Sequence, residues 1–209
     1  MAKNFAEIAF TDAVKELQEQ HGSRKAYDRL QKFNVVDGLA ESEIAFIENR
    51  DSLYLASMGA KEFPYVQHRG GPKGFLKVLD SKRLGFIDFT GNKQYVSVGN
   101  MKTINNVSLI MIDYPTRTRL KAFAKAEVIA LKDNPELYQS LDLKDYKFRP
   151  ERMMIFHIEA YDWNCPQHIT PRYTEDEINE AFAPQKEYIL KLETELITLK
   201  EQIKQQKHT

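Results

Sequence analysis

Glycine, cationic, hydroxyl and amide residues crowd one stretch of this 209-residue chain, from Phe63 to Ala126, and that mixture suits an anion cradle. In HRGGPKGF, Gly70, Gly71 and Gly74 surround Pro72. Glycine tolerates positive φ, lets the backbone approach a ligand closely and leaves amide groups bare. The same run also serves as a tight turn or plain hairpin connection between two strands. In LGFIDFTGNKQYVSVGN, Gly91 and Asn92 form a hairpin-type dipeptide, with Ser97, Asn100 and Lys102 expected on a returning strand. Arg69, Lys77, Lys93 and Ser97 then converge on one side of a small barrel, bringing together cations and a hydroxyl suited to phosphate. Neither GxxxxGK[ST] nor GxGxxG occurs, so the cradle is neither a Walker loop nor a dinucleotide fingerprint.

Short strands must position these groups. DSLYLAS reads as a compact strand, and Phe75 to Leu79 as another with the single cation Lys77 inside it. VSLIMI is a continuous apolar run of the kind that crosses a barrel interior. In RLKAFAKAEVIAL, Leu120, Ala122, Ala124, Ala126 and Val128 alternate with Lys121, Phe123, Lys125 and Glu127, which argues strand, although the alanines would also tolerate a helix. RMMIFHIEAYDWN alternates in the same way, Met154, Phe156, Ile158 and Ala160 against Ile155, His157, Glu159 and Tyr161, and completes the barrel. Helices flank the strands. Thr11 to Phe33 opens on a capping Thr and Asp and is divided at Gly22; Ser42 to Ile47 forms a second helix ending at Asn49; NPELYQSL starts on Asn134 with Pro135 in its first turn.

HRGGPKGFLKVLD, LGFIDFTGNKQYVSVGN, NNVSLIMID and TRLKAFAKAEVI, taken in succession, resemble the pyridoxamine 5'-phosphate oxidase-related flavin-binding family over roughly residues 40 to 173. YDWNCPQHITPR resembles a segment of one uncharacterised branch. The resemblance implies a mainly β, α+β fold: an FMN-binding split β-barrel over 51–173, an N-terminal helical segment over 1–50 packed on it, and a C-terminal helix over 174–209. It also implies an FMN-dependent oxidoreductase, a homodimer with FMN at the subunit interface, and a small-molecule substrate or electron donor. By position it assigns the cofactor to Arg69, Phe75, Leu76 and Lys77, to Asp88, Asn92, Lys93, Ser97 and Asn100, and to Arg119 as a cation near the pyrimidine end of the ring. Trp163, Gln167, His168 and Arg172 would form a wall of the flavin pocket. The RxH substrate motif of the true oxidases is missing, and Phe75 stands near the place of the arginine that opens their phosphate-binding strand, so the resemblance carries the cofactor rather than the oxidation of pyridoxamine phosphate.

Thirty basic residues balance thirty acidic ones, so no net field draws nucleic acid or an anionic membrane from a distance. A 42% hydrophobic chain of this length buries one substantial core. The single cysteine, Cys165, rules out an internal disulfide framework and fits a reducing, cytoplasmic setting; it matches no CxxC pair or zinc knuckle, and no Cys, His and acid arrangement is legible around it. No window reaches a membrane span, and no histidines stand at metal-ligand spacing. After Pro184, Ile189, Leu192, Leu196, Leu199 and Ile203 keep the three-and-four spacing of a heptad, which suits a helical tail supporting a dimer or docking on its own barrel. Two other readings stay open: a flavin carrier or sensor without turnover, and a haem-binding relative of the same barrel using His68, His157 or His168.

Overall fold

In the computed structural model, which describes residues 4–33, 37–164 and 166–206, the chain forms two compact units, residues 1–169 and 170–209. The first unit is an α+β split barrel, helices packed on one seven-stranded antiparallel sheet. The strands are β1 (Ser52–Met58), β2 (Pro64–Gly70), β3 (Lys77–Asp80), β4 (Arg83–Phe89), β5 (Asn106–Asp113), β6 (Thr118–Ile129) and β7 (Pro150–Asn164). Their spatial order is β2-β1-β5-β6-β7-β4-β3. The outer strands β2 and β3 do not pair with each other, so the barrel is split along that line.

Side-chain alternation explains the strands. Although VSLIMI is apolar throughout, β5 buries Val107, Leu109 and Met111 and leaves the residues between them partly exposed. On β6, Leu120, Ala122, Ala124 and Ala126 turn inward, and the alternation that argued for a strand holds. The middle of β7 departs from it: Met153, Met154, Ile155 and Phe156 are all buried. Phe156 and Met154 join the barrel interior, while Met153 and Ile155 join Ile87 and Leu141 in a second core on the outer face. That outer core exists because a further helix (Pro135–Leu141) covers the sheet there, started by Asn134, whose Oδ1 accepts from the Leu137 amide.

Two connections differ from the sequence reading. HRGGPKGF is not a hairpin connection, because β2 and β3 lie at opposite edges of the sheet and the loop crosses the split between them. The expected return strand after Asn92 is instead a helix, Val96–Thr103. Its buried residues Ser97, Val98 and Met101 follow a helical rather than a two-residue spacing, and Lys93 and Tyr95, both at positive φ, turn the chain into it.

Before β1 the chain makes four helices, α1 (Phe5–Ala9), α2 (Asp12–Gln20), α3 (Arg24–Phe33) and α4 (Glu41–Glu48). The helix between Val96 and Thr103 is then α5, and that between Pro135 and Leu141 is α6. Thr11 caps α2 and Gly22, at φ +72, breaks it from α3 as the sequence indicates. Glu43 ties α4 to the sheet. Its carboxylate is only 5% exposed yet accepts from the Ala40 amide (3.0 Å), the Ser42 hydroxyl (3.1 Å), Trp163 Nε1 (2.6 Å) and the Tyr161 hydroxyl (3.4 Å), which offsets its burial.

The second unit is dominated by one 32-residue helix, α7 (Glu175–Gln206). It opens with a reciprocal capping box: the Thr174 amide donates to Glu177 Oε2 at 2.8 Å, and the Glu177 amide donates to Thr174 Oγ1 at 3.2 Å. No described helix is long and apolar enough to cross a membrane.

Burial, reinforced by the Glu43 carboxylate, pushes the Tyr161 hydroxyl from 10.0 up to about 12. The native state keeps a proton that the unfolded chain gives up near pH 10.0, so this contribution to stability is intact below that pH and is lost as the pH climbs through about 12. Urea unfolding measured across that window should fall less steeply with pH for Tyr161→Phe than for the wild type. Equal slopes would mean that Tyr161 is not the group responsible.

Candidate functional site

The period-two alternation of β2 places Tyr65, Gln67 and Arg69 on one face, and that face looks across the split toward the end of β4. Arg69 Nη1 lies 2.7 Å from Asp88 Oδ1. Asp88 Oδ2 lies 3.6 Å from Arg152 Nε, Arg152 Nη2 lies 2.5 Å from Glu151 Oε1, and the Tyr95 hydroxyl donates to the same Glu151 oxygen at 2.7 Å. The Arg152 guanidinium also sits 4.9 Å from the centre of the Tyr95 ring. This chain of alternating charges links β2, β4, β7 and the turn before α5. Burial pushes the Asp88 carboxyl above its usual range, against the downward pull of Arg69 and Arg152. Neither arginine is fully satisfied, since Nε of each is buried without a hydrogen-bond partner among the described residues.

Above the ion chain opens a cavity of about 260 Å³. Gln67 and Arg69 form one wall, Asn92, Lys93 and Gln94 the rim, and Val96 and Ser97, in the first turn of α5, the other wall. Ser97 is 1% exposed and donates to Gln67 Oε1 at 2.9 Å, fixing α5 against β2. Asn100, one turn further on, donates to Ser57 Oγ at 3.1 Å and fixes the same helix against β1. The N-cap residue of α5, Tyr95, makes no side-chain cap bond to the first-turn amides. Charge within the ion chain cancels, two arginines against Asp88 and Glu151. Lys93 forms no ion pair among the described residues and leaves the cavity with an excess positive charge. A second hollow of about 180 Å³ shares Arg69, Asp88 and Phe89 and is backed by His68 and Phe75.

Of the residues singled out in the sequence, Arg69, Asp88, Asn92, Lys93 and Ser97 come together here. Phe75 backs the second hollow and Leu76 is fully buried in the core. Lys77 opens β3 opposite Gly85 and lines neither hollow. Arg119 lies between Ile112 on β5 and Asn164 on β7, with a buried, unpartnered Nε. Trp163 is the last residue but one of β7, where its ring packs edge-on against Phe46, 4.8 Å between centres. Gln167 and His168 are exposed just beyond β7, His168 at φ +65; Arg172 is exposed in the second unit. Cys165 lies outside the described residues.

The glycine amides expected to face a ligand are committed elsewhere. The Gly71 amide donates to the Asp51 carbonyl at 2.9 Å and the Gly74 amide to the Arg50 carbonyl at 3.1 Å. Sequence reasoning passed over Gln67, Tyr95, Glu151 and Arg152. Gln67 was accessible through its two-residue offset from Arg69, whereas Glu151 and Arg152 are more than fifty residues from Asp88 in sequence and meet it only through the β4–β7 pairing.

No protein-family model matches this sequence, and no curated protein matches it significantly. Solved structures with a similar fold include a candidate pyridoxamine 5'-phosphate oxidase from Lactobacillus delbrueckii (24% identity, 62% of this chain and 97% of that one, TM-score 0.47). An FMN-binding protein from Syntrophomonas wolfei is 12% identical over 70% of this chain and 97% of its own, with a TM-score of 0.46. The HupZ protein of Group A Streptococcus is 14% identical over 65% and 99%, with a TM-score of 0.49.

Asp88→Asn strands the partly buried Arg69 guanidinium without a counter-charge and leaves Arg152 to Glu151 alone, at a cost of about 2–3 kcal/mol in chemical denaturation at neutral pH. Adding Arg69→Met should recover part of that loss. A double variant less stable than Asp88→Asn would show that the ion pair does not bridge the split.

Proposed function

We propose that this cavity binds FMN by its phosphate, and that the chain is a flavoprotein oxidoreductase of the pyridoxamine 5'-phosphate oxidase-related type. The observation that carries the reading is Lys93, an uncompensated cation on the rim of a cavity that also receives the uncapped first turn of α5. The donor set fits a phosphate: Lys93 supplies charge and Asn92 and Gln94 supply amide groups, while Ser97, its one hydroxyl proton engaged by Gln67, holds the wall of α5 in place. Bound FMN would supply hydride or single-electron transfer. The protein's part is to hold the phosphate, align the cofactor along the split and exclude water from one face.

The reading extends to a homodimer. A cavity of about 260 Å³ is at or below the usual size of a cofactor site, roughly 300–1,000 Å³, so it accommodates the phosphate end while the ring needs a further wall. A second subunit related by a two-fold axis supplies that wall twice over. Arg119, Trp163, Gln167 and His168, which do not line the cavity of their own chain, are then candidates to reach the cofactor of the neighbouring one.

Calorimetric titration should show FMN binding more tightly than riboflavin. Lys93→Ala should weaken FMN roughly ten- to a hundredfold, the equivalent of about 1.5–3 kcal/mol for a charge-assisted contact, while leaving riboflavin unchanged. Lys77→Ala should behave as wild type. Equal affinity of the wild type for FMN and riboflavin would remove the phosphate site. Reduction of the bound flavin by NADH or NADPH and its reoxidation by an added acceptor tests turnover, and an inert flavin would favour the carrier or sensor reading.

A further inference from the structure

We infer that α7 pairs with α7 of a second copy as a parallel, in-register, two-stranded coiled coil. The inference deepens the homodimer reading above and takes nothing from flavin binding.

The heptad extends beyond the five positions after Pro184. Phe182, Ile189, Leu196 and Ile203 fall at a; Ile178, Gln185, Leu192 and Leu199 fall at d. The seven apolar members are each 44–56% exposed, so nothing within the second unit covers the seam. α7 is long enough for four such turns of the repeat, and Pro184 takes position c, off the seam.

Three features select the occupant and its direction. Ile at a with Leu at d, as in Ile189, Leu192, Leu199 and Ile203, favours two parallel strands. In a parallel, in-register pair Gln185 meets Gln185 of the second copy, and the two amides satisfy each other. An antiparallel pair with full overlap sets Gln185 against Leu196 and buries an amide with no partner. Finally, Glu195 at g faces Lys200 at the following e of the second copy, an opposite-charge pair repeated by symmetry. Glu195 also lies 4.0 Å from Lys191 on its own helix, so it sits between two cations. The other g-to-e contacts, Ala181 to Lys186 and Tyr188 to Glu193, bring no like charges together.

Two measurements on the full-length chain test this. In a Cys165→Ser background, Leu199→Cys should form a disulfide-linked dimer under mild oxidation, because the two 199 positions meet across the seam. In the fully overlapped antiparallel pair they stand roughly 25 Å apart and do not link. Lys200→Glu should weaken the dimer roughly tenfold in sedimentation, and adding Glu195→Lys should restore it. A dimer that fails to cross-link and ignores Lys200→Glu would overturn the coiled coil while leaving the dimer intact. A monomeric wild type would overturn both, and a tetramer, which Leu190 and Ile197 at the outer b positions would then help to cover, would overturn the two-stranded form.

Discussion

The contact on which this architecture depends is the ion pair between Arg69 and Asp88. These residues belong to strands five places apart in the sheet order, and only strong curvature brings them to 2.7 Å. A closed barrel seals itself with backbone hydrogen bonds. This one leaves its edges unpaired and spans the split with side chains, Arg69 on β2 to Asp88 on β4, while Arg152 holds Asp88 from the neighbouring β7. A bridge of that kind contributes little net stability once desolvation is counted, but it fixes where the edges sit and carries charge to the place where the cavity opens.

The position of α5 follows from the same closure. Ser97 bonds to Gln67 on β2 and Asn100 bonds to Ser57 on β1, so the helix lies over the end of the barrel with its first turn beside the cavity. Lys93 and Tyr95, non-glycine residues held at φ +61 and +56, cost about 1 kcal/mol each. Tyr95 offsets this through Glu151 and the Arg152 guanidinium; Lys93 has no ion pair among the described residues and lines the cavity.

Most of the fold was legible in the sequence because periodicity reports burial. The alternation of Leu120, Ala122, Ala124 and Ala126, the cap at Asn134 and the break at Gly22 each follow from local chemistry that the surroundings do not override. The segment after Asn92 was misread because QYVSVGN contains two β-branched residues in alternation, a strand signal, whereas helical burial of Ser97, Val98 and Met101 decides its conformation. The connection after Gly70 was misread for a different reason: turn residues reveal that the chain bends, not how far apart the joined strands lie. For the site, the cluster of Arg69, Asn92, Lys93 and Ser97 was visible from residue type and proximity along the chain. Glu151 and Arg152 were not, since β7 follows two further strands and two helices, α5 and α6, before it returns to β4.

The loop that crosses the split is a tether as well as a connection. Its amides are pinned to the carbonyls of Arg50 and Asp51 at the foot of β1, and a Cβ on Gly71 would come within 2.7 Å of Phe75 Cβ, so the chain is drawn tight where it passes from one sheet edge to the other. Six intervening residues reach roughly 25 Å at full stretch, and pinning shortens that span. The tether limits how far the two free edges part at that end, beside an edge strand, β2, that leaves Val66 and its neighbour Phe63 bare.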